Sequence, residues 1–163
     1  MLFSKRKRLV KRILIVEDEP LVAFDNENMV TDAGYVVVAT VDEYDDVVEV
    51  LESEFEALPQ GGDQDEDPRG IDLILTDISL SGKRDGYDVA REAKRRGIPV
   101  LFVSATPPQG AEEFSLGYLL KPYQERTLRA ALDAIDRKLK GEKLQRIDGL
   151  VLYPTPAPGA AKV

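Results

Sequence analysis

The feature that most constrains this chain is a repeated change of hydrophobic period. Five short, largely β-branched or aliphatic runs punctuate it: "RILIV" (12–16), "YVVVATV" (35–41), "IDLILTD" (71–77), "IPVLFVSA" (98–105) and "GYLLK" (117–121). Continuous apolar runs of that length read as strands buried on both faces. Between and after them lie amphipathic stretches. Residues 20–33 open on Pro20, which suits a first helical turn, and stop before Gly34. Asp42 is a plausible N-cap for a helix over 43–57, and residues 86–96 run helical up to Gly97. Residues 124–140 place Leu128, Ala131, Leu132, Ile135 and Leu139 on one face. Strand and helix alternating five times predict an α/β fold with a parallel sheet covered on both sides. In such folds ligands gather at the carboxyl ends of the strands, where strand order reverses.

Composition narrows the chemistry. The 163 residues, 43% hydrophobic and 32% charged, suffice for one domain with a real core. The chain has no Cys and no His, which removes disulfides, thiolates, imidazole metal ligands and Ser-His-Asp triads. The absence of Cys, of an apolar leader and of a run long enough to span a membrane fits a cytoplasmic protein. Lys5, Arg6, Lys7, Arg8, Lys11 and Arg12 precede Ile13 with no acid among them, so residues 1–11 read as a basic, mobile extension. The rest is then more acidic than the −8 of the whole chain, which disfavours nucleic acid as a partner.

Two segments fall outside the alternation. Residues 58–70, "LPQGGDQDEDPRG", read as a solvated acidic insertion. Asp63, Asp65 and Asp67 imitate a calcium loop, but Pro68 stands where that loop needs Gly and Ile74 where it needs Glu. Residues 142–163 read as a tail, mostly disordered because of "YPTPAPGAAKV" at 153–163, with the apolar "GLVLY" (149–153) free to dock somewhere.

The residues that follow each strand form a set. Glu17, Asp18 and Glu19 come after the first, Asp77 ends the third, Ser104, Ala105 and Thr106 close the fourth, and Lys121 closes the fifth. Each has an ordinary reading as turn former, cap or surface charge. Together, on one rim, they make a different group. Clustered carboxylates call for a cation, and an all-oxygen set suits Mg²⁺ or Mn²⁺. A carboxylate can also attack phosphorus, while Lys121 and the Ser104 hydroxyl neutralise phosphoryl oxygens.

These residues resemble the receiver domain of two-component response regulators, over residues 12–141. "ILIVEDEP" resembles the first strand with its acidic pair, Glu17 and Asp18. "DLILTDISLSGKRDG" resembles the phospho-acceptor strand and loop, and "GYLLKPY" the Lys-Pro motif. The resemblance implies a flavodoxin-like, doubly wound, five-stranded parallel sheet in the order 2-1-3-4-5. It implies Asp77 as phospho-acceptor, Lys121 and Ser104 as catalytic partners, and Ser104 with Tyr118 as switch residues. Metal would be held by Asp18, Asp77 and the backbone carbonyl of Ser79 directly, and by Glu17 through water. Ser79 and Thr106 would tune dephosphorylation.

The partners implied are a histidine kinase or histidine phosphotransferase and a possible downstream protein. The resemblance also implies Mg-dependent phosphorelay signal transduction by protein contact or as a phosphate sink, without turnover of an external substrate. Two alternatives stay open: a haloacid-dehalogenase-like phosphatase, weakened by Ser79 where that family has a second Asp, and an inert pseudo-receiver binding module.

The chain departs from the common receiver pattern in two places. Ser81 stands where the acceptor loop usually has Pro. Only 17 positions separate Ser104 from Lys121, and Pro107, Pro108 and Gly110 interrupt them, so the helix usual there is expected to be shortened or mobile. Both features are similar to atypical single-domain receivers of alphaproteobacteria in stress and light signalling. The few residues after 141 suggest a stand-alone receiver.

Overall fold

A computed structural model describes residues 7–56 and 70–155. The acidic insertion, its calcium-like run included, falls almost wholly outside the described residues, as do 1–6 and 156–163. The chain runs β1 (Arg12–Val16), α1 (Pro20–Asp32), β2 (Val36–Val41), α2 (Tyr44–Glu56), β3 (Leu73–Asp77), α3 (Gly86–Arg95), β4 (Val100–Ser104), β5 (Gly117–Leu120), α4 (Glu125–Leu139) and β6 (Leu150–Leu152). The sheet order is β2-β1-β3-β4-β5-β6. The first five strands are parallel in the order expected, and β6 adds antiparallel to β5.

Local chemistry explains the helix ends. Pro20 occupies the first turn of α1. Asp85 and Asp88 form a reciprocal capping box at α3, with Asp88 N donating to Asp85 Oδ1 at 3.2 Å and Asp85 N to Asp88 Oδ2 at 3.0 Å. Lys94 and Arg95 lie in the last turn of α3, where the helix dipole favours cations.

The sheet separates two cores. Ile13, Ile15, Leu73, Leu75, Leu101 and Leu119 face Val30 of α1 and Leu128, Leu132 and Ile135 of α4. Leu14, Val16, Ile74, Val100 and Phe102 face Val47 and Leu51 of α2 and Val89 and Ala93 of α3. Alternate side chains of each central strand thus enter opposite cores, which is why these strands carry no polar face. Each fully buried Leu, Ile or Phe contributes about 1.5–3 kcal/mol over its exposed state.

The structure sharpens three sequence expectations. The segment between β4 and β5 is shortened, as expected, to a single turn, with Ser115 N donating to Ala111 O at 3.0 Å. Ala111 fully buries on the second core and Phe114 packs beside it, so short apolar anchors do part of a helix's covering. The tail is not unstructured through 149–153, because β6 forms there and turns the five-stranded sheet into a six-stranded one. Its Leu150 and Leu152 pack against the first core. Nor is all of 1–11 an extension. Val10 is fully buried, and the Leu9 and Val10 amides donate to Asp136 Oδ1 at 2.6 and 3.0 Å. The amides of Lys11 and Arg12 both donate to Asp72 Oδ2 at 2.9 Å. Two carboxylates therefore fix the chain ahead of β1.

Candidate functional site

Topology explains why the acidic residues meet. The chain leaves β1 for β2 on one side and then crosses to β3 on the other, so the carboxyl ends of β1 and β3 flank the point where strand order reverses. Val16 of β1 is level with Thr76 of β3, which sets Glu17 and Asp18 beside Asp77. On the other side of β3, Asp77 is level with Val103, and Ser104 is level with Leu120. Ser104 and Lys121 therefore close the same rim, where Lys121 N donates to Ser104 O at 2.8 Å.

The geometry is that of a charge cluster. Lys121 Nζ lies 2.7 Å from Glu17 Oε1 and 2.8 Å from Asp77 Oδ2. Carboxylate oxygens from Glu17, Asp18 and Asp77 lie within 4.8 Å of one another. Glu17 is only 3% exposed. Burial raises its pKa, against the lowering effect of the Lys121 hydrogen bond. Burial alone would lower Lys121, but its bonds to Asp77 and Glu17 prevail and hold the ammonium charged above its usual value. Three carboxylates against one ammonium leave excess negative charge. The donors are all oxygen, as a hard divalent cation requires, so the set fits Mg²⁺.

Backbone groups aim Asp77. Its Oδ1 accepts from Ile78 N at 2.6 Å and Ser79 N at 3.3 Å. The Thr76 hydroxyl donates to the Asp77 carbonyl at 2.8 Å, and Gly86 N donates to Ile78 O at 2.7 Å. The sequence reading did not give Gly86 a role. A Cβ there would stand 2.1 Å from the Asp77 carbonyl oxygen, so only Gly lets the loop close back on β3. The Gly between Asp85 and the helical run was the available signal.

A cleft of about 820 Å³ opens over the rim, lined by Asp18, Asp77, Ser79, Ser104, Thr106 and Lys121 among others. Ser104 is buried and its Oγ accepts from Thr106 N at 3.3 Å, while Ser79 and Thr106 are exposed. Tyr118 does not line the cleft: it is half-buried on β5, with its ring centroid 6.2 Å from that of Tyr153. Tyr87, also missed from sequence, lines the cleft's far wall, where its hydroxyl accepts from Gln109 N at 3.1 Å. Its ring packs 5.3 Å from that of Phe102.

The family model described as "Response regulator receiver domain" matches residues 13–133. Among curated proteins, the chain is 27% identical over 129 residues to the transcriptional regulatory protein PdtaR of Mycobacterium tuberculosis, covering 76% of this chain and 55% of that one. It is 27% identical over 128 residues to the phyllosphere-induced regulator PhyR of Methylorubrum extorquens, covering 76% and 43%. The chain thus spans about half the length of the curated relatives it matches.

Among solved structures, the response regulator PhyR from Brucella abortus aligns with a TM-score of 0.62 at 25% identity, over 83% of this chain and 51% of that one. A response regulator receiver protein from Sinorhizobium medicae shares the fold, with a TM-score of 0.56 at 24% identity over 76% and 92%. With the matched span running from inside β1 into α4, the chain belongs to the response regulator receiver domain family of signalling modules.

Proposed function

We propose that this chain accepts a phosphoryl group on the Asp77 carboxylate from a phosphohistidine of a histidine kinase or phosphotransfer protein. The observation that carries the reading is the Lys121 ammonium bridging Glu17 and Asp77 at the strand switch point, with Ser104 on the same rim. A carboxylate oxygen of Asp77 forms the new O–P bond as the donor's P–N bond breaks, and the imidazole leaves with the electron pair. Lys121 neutralises charge on the phosphoryl oxygens and the Ser104 hydroxyl donates to one of them. Ile78 N and Ser79 N hold the Asp77 carboxylate in one orientation before transfer.

Glu17, Asp18, Asp77 and the Ser79 carbonyl would hold Mg²⁺ or Mn²⁺. When bound, that ion supplies positive charge against the carboxylates and the incoming oxygens. The site acts on its own side chain rather than on an external substrate, within a cytoplasmic phosphorelay.

The donor's landing surface lies beside the site. Leu21 and Phe24 on α1 are 81% and 63% exposed, one turn beyond the acidic pair. Exposed apolar residues flanking a reactive rim suit docking of a partner protein. Ser79 and Thr106 are small and exposed in an open cleft, which supports attack by water and a short-lived phosphoryl group. That favours draining phosphate from a shared donor over storing a signal. A role in stress or light signalling rests on the likeness to atypical single-domain receivers.

The test is beryllofluoride with Mg²⁺, which mimics a phosphoryl group on a carboxylate. Amide resonances around Asp77, Ser104 and Lys121 should shift in the wild type and stay in place in Asp77→Asn. Equal shifts in both would overturn the assignment of the acceptor. A phosphoprotein lifetime of hours, rather than seconds to minutes, would count against the drain.

A further inference from the structure

The tail strand is built into the sheet in unusual detail. Leu120 N donates to Gly149 O at 2.8 Å and Tyr153 N donates to Leu116 O at 2.8 Å, closing both ends of the β5–β6 ladder. A Cβ at Gly117 would stand 1.9 Å from the Val151 carbonyl oxygen, so the position is Gly because β6 approaches so closely. Lys138 Nζ holds the far end through Tyr153 O at 2.7 Å and Thr155 Oγ1 at 3.1 Å.

The Tyr153 ring lies on the second core, against Tyr118 and on the side where no helix covers β5. Yet its hydroxyl oxygen is buried with no hydrogen-bond partner among the described residues. A buried, unpaired hydroxyl works against the docked state. The strand is only three residues long, so few ladder bonds offset that cost. Tyr118 is level with Phe102 and Leu120 with Ser104, so Tyr118 shares a sheet face with Ser104, one register step away. A displacement of Ser104 towards Asp77 therefore bears on the residue against which Tyr153 rests.

We propose that β6 is a strap over the β5 edge that phosphoryl transfer to Asp77 releases through Tyr118, opening that edge to strand addition by an extended segment of a partner protein. The proposal rests on the reading of Asp77 as acceptor. The occupant's chemistry follows from what the edge now holds: an antiparallel segment with aliphatic side chains at alternate positions, as at Leu150 and Leu152, and an aromatic ring beyond them. When Ser104 turns towards a phosphoryl oxygen, the Tyr118 ring moves with it and Tyr153 loses the tilted ring contact it rests on. The unpaired hydroxyl then gains water by leaving.

The full chain tests this with two readouts, hydrogen exchange at the Leu120 and Tyr153 amides and fluorescence anisotropy of a labelled peptide of residues 147–155. On adding beryllofluoride and Mg²⁺, exchange at both amides should speed at least tenfold and the peptide should bind at least tenfold tighter. Asp77→Asn should show neither change. Tyr153→Phe, which removes the unpaired hydroxyl, should exchange more slowly before the mimic is added. Tyr118→Ala should bind the mimic without passing release to β6.

Resonance shifts at Asp77 with unchanged exchange at Tyr153 would overturn the strap while leaving the acceptor reading intact. No shifts at Asp77 would overturn the acceptor reading, and the strap with it. Release without peptide binding would overturn strand addition, and release in Tyr118→Ala equal to wild type would overturn Tyr118 as the link.

Discussion

Single residues in this chain carry unequal weight. Asp136 is an example that the sequence did not disclose. It lies in the last turn of α4 and is 5% exposed, with two backbone amides on Oδ1 and Lys140 Nζ 2.9 Å from Oδ2. Asp136→Ala would leave the Leu9 and Val10 amides unpaired and is expected to destabilise by roughly 2–4 kcal/mol in urea unfolding. Asp136→Asn keeps an acceptor oxygen and should lose less. Burial opposes the charge on Asp136, but Lys140 and the two amides outweigh it and hold its pKa below the usual carboxylate range. Its stabilisation is therefore fully present above the unfolded-state pKa of about 4 and fades as pH falls through the lower folded-state value. Acid unfolding of Asp136→Asn should consequently show a shallower loss of stability below about pH 4 than the wild type. Asp77, by contrast, was legible because it ends an apolar strand and has partners at other strand ends. Asp136 gave no such signal, since its partners are backbone amides more than a hundred positions away.

At the scale of elements, propensity and period placed nine of them within a few residues of where they stand. The strand over 35–41 loses only Tyr35, and the helix over 124–140 loses its two end residues. What the local pattern left open shares a physical cause. The segment between β4 and β5 has Pro and Gly against a helix, but no local rule states that Ala111 and Phe114 will anchor it as one turn. Residues 149–153 carry an ambiguous short apolar run whose pairing depends on a Gly more than thirty positions earlier, Gly117, which admits a close backbone. Gly86 makes the complementary case at the site. Gly86→Ala is expected to push the loop after β3 off Asp77, at a cost of about 1–3 kcal/mol by overpacking. Thermal unfolding reads the cost, and loss of the beryllofluoride-dependent shifts reads the displaced carboxylate.

The whole molecule sets the acidic cluster beside exposed apolar side chains. Because three carboxylates cluster around a site with one ammonium, a cation that binds only the folded chain should raise its melting temperature. At a Mg²⁺ concentration near a hundred times Kd the gain is about 2.7 kcal/mol. Differential scanning calorimetry should show that rise in the wild type and a much smaller one in Asp18→Asn. Leu21→Ser with Phe24→Ser should leave stability within about 0.5 kcal/mol, since both side chains face solvent. Phosphotransfer from a protein donor should nonetheless fall by about tenfold or more. Phosphorylation by a small acyl phosphate should be unchanged, which separates docking from chemistry. No helix among the described residues is long and apolar enough to cross a membrane.

The sequence by itself determined the alternation of strand and helix, the parallel sheet and the identity of the residues at its carboxyl rim. These follow from local period and from the chirality of crossover connections, which leave few arrangements for five β-α units. Tertiary structure alone decided how that rim is wired and how the sheet ends. The Lys121 ammonium between Glu17 and Asp77, the Asp136 clamp on the chain ahead of β1, and the tail strand on β5 all join groups distant in sequence. Such contacts form only where packing has already fixed the backbone, since their energy depends on separations of ångströms that no local pattern encodes.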